Sequence, residues 1–393
     1  MRVNSLRLRT SLLELGGIGF EVGVGTSRMA YSKEFNMGRD YVKFCMEQAG
    51  LKVSVDPVGN LTGLLPGREC GKPIISVGSH IDTVPGGGMY DGTLGVMAAI
   101  EAVRVLREHS YCNRHPIEII AFNEEEGNVI GGTFGSKAFA GQPQEPTALS
   151  KLCNYGMNED DVARSKRNPD DYRCYLELHI EQGGILESKN LELGVVEGIV
   201  GITRFMVTVP GEANHAGSTP MNLRNDALLK ACTMIRRIVE ISAEVDPAMT
   251  CTVGYVTVEP GAVNVVPGCV KFPIELRCLC MDNIRTAISR FREEVRLSGT
   301  TVENFLWQEP TIMDDYLRDS LEAVCQKSGR RYCRMPSGAG HDAINMALFT
   351  PTAMLFIPSV GGISHNIHEF SKLEDLEHGA QALLDTILQL DKE

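Results

Sequence analysis

Apolar and polar positions along the first half of the chain follow two alternating rhythms. Apolar residues recur at helical spacing over residues 36–50 and, more strongly, over 95–107, where Val96, Ala99, Ile100, Val103 and Leu106 share one face. Between and after these helices lie short, unbroken apolar runs at 74–79, 117–122 and 175–179, the pattern of strands buried on both faces. Strands alternating with helices predict an α/β fold, with a largely parallel sheet covered by helices on both sides.

The middle of the chain reads differently. A strand at 205–209, a helix at 225–245 and a strand at 250–258 are followed by a strand at 270–278, a helix at 284–296 and a strand at 301–307. Two β-α-β units in this order predict a ferredoxin-like α+β domain. The apolar run 352–357 resumes the first rhythm, so the middle is an insertion. The expected division is a larger domain of residues 1–203 and 313–393 and an inserted domain of residues 204–312.

In parallel α/β sheets, ligands gather beyond the C-terminal ends of the strands. The chemistry-bearing residues of this chain fall there. His80 closes the first run, Asp82 follows two residues later, and Asp91 stands beyond a glycine-rich stretch. Glu124, Glu125 and Glu126 follow the second run directly, and His179 ends the third. His365 follows the last run in Gly362-Ile363-Ser364-His365-Asn366. Alone, His80 with Asp82 reads equally as a structural pair, and three adjacent glutamates as a solvated cluster. Their common position after buried strands favours metal ligation. Imidazole with carboxylate suits zinc, manganese, cobalt or nickel, and a carboxylate bridging two ions lets them act on one water. That is hydrolytic chemistry.

Composition narrows the field. The 393 residues carry a net charge of −12, which argues against a nucleic-acid partner. Lys and Arg are scattered, which argues against an anionic membrane surface, and no apolar run of spanning length occurs. Arg2, Arg7 and Arg9 before Leu12-Leu13 faintly resemble a signal peptide, but Glu14 and Glu21 interrupt the apolar stretch. A cytoplasmic protein is expected. The 12 cysteines contain no Cys-x-x-Cys and read as buried free thiols in a reducing compartment.

Four long motifs carry a resemblance. They are Gly78-Ser79-His80-Ile81-Asp82-Thr83-Val84, Glu177-Leu178-His179-Ile180-Glu181-Gln182-Gly183, His215-Ala216-Gly217-Ser218-Thr219-Pro220-Met221 and Ser337-Gly338-Ala339-Gly340-His341-Asp342-Ala343. With Arg28-Met29-Ala30-Tyr31-Ser32 near the start, the chain resembles, over nearly its whole length, the amidase/hydantoinase/carbamoylase branch of the aminoacylase-like metallopeptidases.

The resemblance implies two divalent ions, zinc or manganese first, with cobalt or nickel possible. His80, Asp91 and His179 would hold one and Asp91, Glu126 and His365 the other. Asp82 would accept a hydrogen bond from His80 and fix its tautomer. Glu125 would be the general base, with Glu124 structural. His215 would reach the active site of a homodimer partner from a lid and dimerisation domain and stabilise the oxyanion. Asn264 and Arg277 would clamp a substrate carboxylate, while Gln182 and His341 would line the pocket. His109, His115 and His378 match nothing and are expected at the surface, and His368 receives no role. One departure stands out: Asn128-Val129-Ile130 replaces the Ser-Arg-Phe usual in the family.

The implied activity is removal of an N-carbamoyl group from an N-carbamoyl-L-amino acid, giving amino acid, CO2 and ammonia. Allantoate or ureidoglycolate is the alternative substrate. A metallo-aminopeptidase or N-acyl-amino-acid deacylase is disfavoured by His179 and by the Asn264/Arg277 pair. A non-catalytic binding homologue would lack a ligand or the base, and here both are present.

Overall fold

The computed structural model describes residues Met1–Glu393 and divides into two compact units, Met1–Glu197 with Met313–Glu393, and Gly198–Ile312. The second unit therefore starts at Gly198, upstream of the expected boundary at residue 204. The reason is continuity of pairing. The strand Gly201–Pro210 runs unbroken against Cys269–Cys278 from its first residue, so residue 204 lies inside it.

In the larger unit, the centre of the sheet is four parallel strands in the order Thr352–Ile357, Tyr172–Ile180, Ile74–His80 and Ile117–Phe122. Antiparallel strands extend it on both sides, Leu193–Ile199 beside Thr352–Ile357 and Leu61–Leu65 beside Ile117–Phe122. The apolar runs are buried along their whole length at 117–122 and 352–357. The helices Thr93–Glu108, Leu373–Lys392 and Ser5–Gly16 pack against one another and share one large core with the sheet.

Strand alternation sorts the side chains. Along Tyr172–Ile180, Cys174, Leu176, Leu178 and Ile180 enter the large core. Tyr175, Glu177 and His179 occupy the alternate positions and point to the opposite face. Phe139 meets Phe122, Tyr172 and Phe349 edge-on, with ring centroids 5.5, 5.7 and 5.6 Å apart. This aromatic layer underlies the strands from which His179 and the glutamate run emerge.

The inserted unit is a four-strand antiparallel sheet in the order Thr250–Thr252, Cys269–Cys278, Gly201–Pro210, Thr301–Gln308, with Thr257–Glu259 also paired to Cys269–Cys278. The helices Ala227–Val245 and Met281–Val295 cover one face, where Phe205, Val207, Phe272, Ile274 and Leu276 meet Ile238, Ile241, Ile284 and Phe291. The connectivity is ferredoxin-like. The expected continuous strand at 250–258 is instead two short pieces, because the stretch around Gly254, Tyr255 and Val256 leaves the ladder and lies exposed.

Two smaller expectations also change. All 12 cysteines are free, but only Cys45, Cys174, Cys278 and Cys325 are buried, and five others are exposed on loops or outer helix faces. His115 is buried, because its Nδ1 lies 2.8 Å from the carbonyl of Pro73, and His378 is half-buried beside Glu192. No helix is long and apolar enough to cross a membrane.

Replacing Phe139 with alanine removes the hub of the aromatic layer. The expected cost is about 3–5 kcal/mol of folding stability, measured by denaturant titration. A loss under about 1 kcal/mol would show that the layer does not support the strand ends.

Candidate active site

Asp91 occupies the loop between the strand Ile74–His80 and the helix Thr93–Glu108. Its Oδ1 is 3.3 Å from His80 Nε2 and 3.3 Å from His179 Nε2. Its Oδ2 is 3.3 Å from His365 Nε2, which is also 3.6 Å from Glu126 Oε2. Two donor sets result, His80–Asp91–His179 and Asp91–Glu126–His365, each with its ligand atoms within 4.8 Å of one another. They share the Asp91 carboxylate. The first set is buried, whereas the His365 side chain is 49% exposed.

The geometry fits divalent ions. His80 Nδ1 donates to the Asp82 carbonyl at 3.0 Å and His179 Nδ1 to the Ile180 carbonyl at 2.9 Å. With those protons committed, the Nε2 lone pair of His80 faces the Asp91 carboxylate, and that of His179 lies between the same carboxylate and the Gly92 N–H at 3.1 Å, an arrangement that calls for a cation or an added proton. Donor atoms about 2.0–2.1 Å from a tetrahedral zinc stand about 3.3–3.4 Å apart, close to the separations here. Glu126 Oε1 and Gln182 Oε1 are buried without a hydrogen-bond partner, leaving unused lone pairs at the same place.

Electrostatics agree. Burial pulls the His80 imidazole down, but Glu125, Asp91 and Asp82 outweigh it and hold it well above the usual histidine value. Burial raises Asp91, yet hydrogen bonds from His179, His365 and His80 keep it well below the carboxylate range. Burial, then Asp91, pushes Glu126 up to about 7. Burial likewise lifts Glu125 well above its ordinary value, aided by Asp342 and Glu126 and opposed by His80. Crowded carboxylates of this kind retain protons until a cation replaces them.

The glutamate run is held by two other carboxylates. Glu124, at φ +60°, turns its Oε1 to the backbone N–H groups of Val129, Ile130 and Gly131 at 2.7, 2.5 and 3.2 Å. The Asn128-Val129-Ile130 departure is thus accommodated by backbone donors, and Asn128 Nδ2 donates to the Thr83 carbonyl at 3.2 Å. Asp82 accepts from His80 through its backbone carbonyl, not its side chain. Its carboxylate is 3.7 Å from His80 Nδ1, farther than its own carbonyl, and it accepts instead from the N–H groups of Glu125 and Glu126 at 3.2 and 3.1 Å. The carbonyl sets the His80 tautomer, and the carboxylate sets the glutamate backbone. Glu125 Oε2 then lies 3.7 Å from His80 Nε2.

Gln182, at φ +58°, donates from Nε2 to Asp91 Oδ2 at 2.6 Å. His341 is buried edge-on to His179 with centroids 4.5 Å apart, its Nε2 2.8 Å from Ser337 Oγ. His368 is exposed. The remaining sequence-derived residues belong to the inserted unit. His215 and Asn264 meet where the strand Asn214–His215 pairs with Val265–Val266, and the Ala216 N–H donates to the Asn264 carbonyl at 2.9 Å. His215 Nδ1 accepts from the N–H groups of Gly217 and Ser218, both at 3.1 Å, so its neutral ring carries the proton on Nε2. Arg277 Nε is paired with Glu275 Oε1 at 2.7 Å.

Sequence reasoning missed Arg28, Ser364 and Glu369. Arg28 is fully buried and donates to the carbonyls of Ile81, Leu15 and Ile18 at 2.7, 2.8 and 3.0 Å, stapling the first helix to the residue after His80. Its signal was its place at the head of a matching motif. Glu369 lies four residues beyond His365 and accepts from the N–H groups of Tyr90 and Asp91. Nothing in local spacing distinguishes it from a surface glutamate.

A parallel-centred α/β unit interrupted by a ferredoxin-like unit, with two imidazole–carboxylate donor sets sharing one aspartate, defines a metal-dependent hydrolase. The chain belongs to Peptidase family M20/M25/M40, whose sequence pattern matches residues 76–389. It is 36% identical to an N-carbamoyl-L-amino-acid amidohydrolase of Paenarthrobacter aurescens, over 98% of each chain. It is 34% identical to the allantoate amidohydrolase of Escherichia coli strain K12, over 96% of this chain and 95% of that one. A solved structure of an amidase of the hydantoinase/carbamoylase family from Burkholderia multivorans superposes with a TM-score of 0.91 at 32% identity, covering 100% of this chain and 99% of that one. The protein is accordingly a hydrolase acting on C–N bonds, in the carbamoylase branch of a metal-dependent family.

Gly92 makes the metal loop feasible. It sits at φ +64°, and a Cβ there would lie 2.4 Å from the His80 ring. Gly92→Ala is expected to cost about 1–3 kcal/mol of stability and to lower retained metal roughly tenfold or more by displacing His80. Denaturant midpoints and elemental analysis measure the two effects, and wild-type values for both would show that the loop yields freely.

Proposed function

We propose that the protein hydrolyses the N-carbamoyl group of N-carbamoyl-L-amino acids, releasing the amino acid and a carbamate that falls to CO2 and ammonia. The observation that carries this reading is the pair of donor sets sharing Asp91, with the Glu125 carboxylate 3.7 Å from His80 Nε2. Two divalent ions, zinc or manganese in the first instance, would be held by His80, Asp91, Glu126, His179 and His365 and would supply Lewis acidity toward the ureido carbonyl and a water molecule. Glu125 takes the proton of the attacking water and returns it to the leaving nitrogen. His341 and Gln182 bound the site beside His179 and Asp91.

In the same reading the protein is a cytoplasmic homodimer joined through the inserted unit, and His215 of one subunit serves the metals of the other. The proton on His215 Nε2 suits it to donate to a developing oxyanion. Asn264 and Arg277 clamp the substrate carboxylate, for which Arg277 exchanges its pairing with Glu275. Allantoate is the second reading, favoured by the 34% identity to the Escherichia coli amidohydrolase.

Two experiments test this. Metal-reconstituted protein assayed side by side with an N-carbamoyl-L-amino acid, allantoate, ureidoglycolate, an N-acetyl amino acid and a dipeptide should show its highest kcat/KM on the carbamoyl compound. A preference for allantoate selects the second reading, and a preference for the dipeptide or acetyl compound overturns both. Glu125→Gln should lower kcat by about 10²–10⁴-fold with metal content unchanged by elemental analysis. Wild-type turnover would remove Glu125 from the role of base.

A further inference from the structure

We propose that Glu369 is a positioning residue that reserves Asp91 Oδ2 for the ion shared with Glu126 and His365, using the Ser364 hydroxyl as a proton switch. The proposal rests on the two-ion reading of the site. It starts from three contacts to one buried carboxylate and a fourth that links them to Asp91. Glu369 Oε1 accepts from the N–H groups of Tyr90 and Asp91 at 2.9 and 3.1 Å. Its Oε2 lies 2.8 Å from Ser364 Oγ, which is itself 3.0 Å from Asp91 Oδ2. Glu369 is 5% exposed, and a Cβ on Gly88 would fall 2.1 Å from its Oε1, so the carboxylate is packed in place.

Ser364 has one hydroxyl proton and two carboxylate oxygens within reach. If the proton goes to Asp91 Oδ2, it occupies a lone pair that the ion needs. If it goes to Glu369, Asp91 Oδ2 keeps the Gln182 amide as its one hydrogen-bond donor, at 2.6 Å, and its other lone pair is left to face the ion and His365, the next residue in the chain. The shorter separation, 2.8 Å to Glu369 against 3.0 Å to Asp91, favours the second arrangement. The same carboxylate fixes the backbone of the shared ligand and, through Ser364, that of a ligand held at φ +53°. The other ion position makes no use of this link. His80 and His179 are oriented by backbone carbonyls at 3.0 and 2.9 Å, and both contact Asp91 through Oδ1.

Glu369→Gln separates the two effects of the side chain. The glutamine oxygen must keep accepting from Tyr90 and Asp91, which turns its NH2 toward Ser364. Ser364 then accepts, and its proton is forced onto Asp91 Oδ2. Cobalt(II) titrated into metal-free full-length protein, followed by calorimetry and by the visible d–d absorption, reads both sites. Wild type should take up two ions. Glu369→Gln should bind the first with unchanged affinity and the second roughly 10–100-fold more weakly, with an unaltered unfolding midpoint. In a Ser364→Ala background the same substitution should change the second affinity less than about threefold, because the switch is gone. Two unchanged affinities, an equal loss at both sites, or the same loss without the Ser364 hydroxyl would each overturn the role of Glu369. If Glu369→Gln does not fold, Ser364→Ala alone, which removes the tether beside His365 and leaves Asp91 Oδ2 unblocked, must weaken the second ion by less than about tenfold and spare the first, and an equal loss at both would overturn the role of Glu369. A wild-type protein that binds fewer than two ions would instead refute the two-ion reading on which the role depends.

Discussion

The carboxylate of Asp91 is the point on which the larger unit converges. Three imidazole nitrogens stand 3.3 Å from its two oxygens, and each comes from a different part of the sheet architecture. A buried anion surrounded by lone pairs is costly unless positive charge is supplied. The surrounding groups respond in kind: the histidines are pulled toward protonation, while Glu125 and Glu126 are pushed toward their neutral forms. Divalent ions satisfy that demand more completely than protons, because each can accept several of these lone pairs at once.

Much of the supporting structure consists of other buried acids whose partners are backbone N–H groups. Asp82 holds Glu125 and Glu126, Glu124 gathers Val129 to Gly131, and Glu369 holds Tyr90 and Asp91. Each carboxylate is oriented by donors that cannot titrate. This rigidity is what a hydrolytic site requires of ligands and base, which must hold their geometry while charge develops on the substrate. It also explains how Asn128-Val129-Ile130 is tolerated. The loop contributes its main chain to Glu124, while Asn128 bonds the Thr83 carbonyl and Ile130 is buried, so the replaced side chains find partners of their own.

The inserted unit obeys simpler rules. Its strands alternate buried and exposed positions against two helices, as an antiparallel sheet with one covered face requires. His215 lies on a short two-strand pairing outside that sheet and Asn264 in the turn beside it, in loops whose shape is set by turn residues instead of core packing. Such segments can present polar groups without disturbing the fold beneath them.

The linear pattern was enough to expose the layered α/β plan and the insertion, and the resemblance carried by the four motifs implied His80, Asp91, Glu126, His179 and His365 as a ligand set. The plan and the insertion come from periodicity, and the candidate ligands from motifs placed just after apolar strands, all of them local properties of the chain. The same local view named no atom for the partnership of Asp82 with His80, ran one strand through Gly254 and passed over Glu369 and Arg28. The tertiary structure decided these matters, because each depends on which backbone donor or carbonyl arrives from a distant segment. Glu369 and Asp91 are separated by 278 positions and meet only when the sheet has formed. Hydrogen-bond geometry is directional over about 3 Å, and sequence spacing carries no record of it across such a distance.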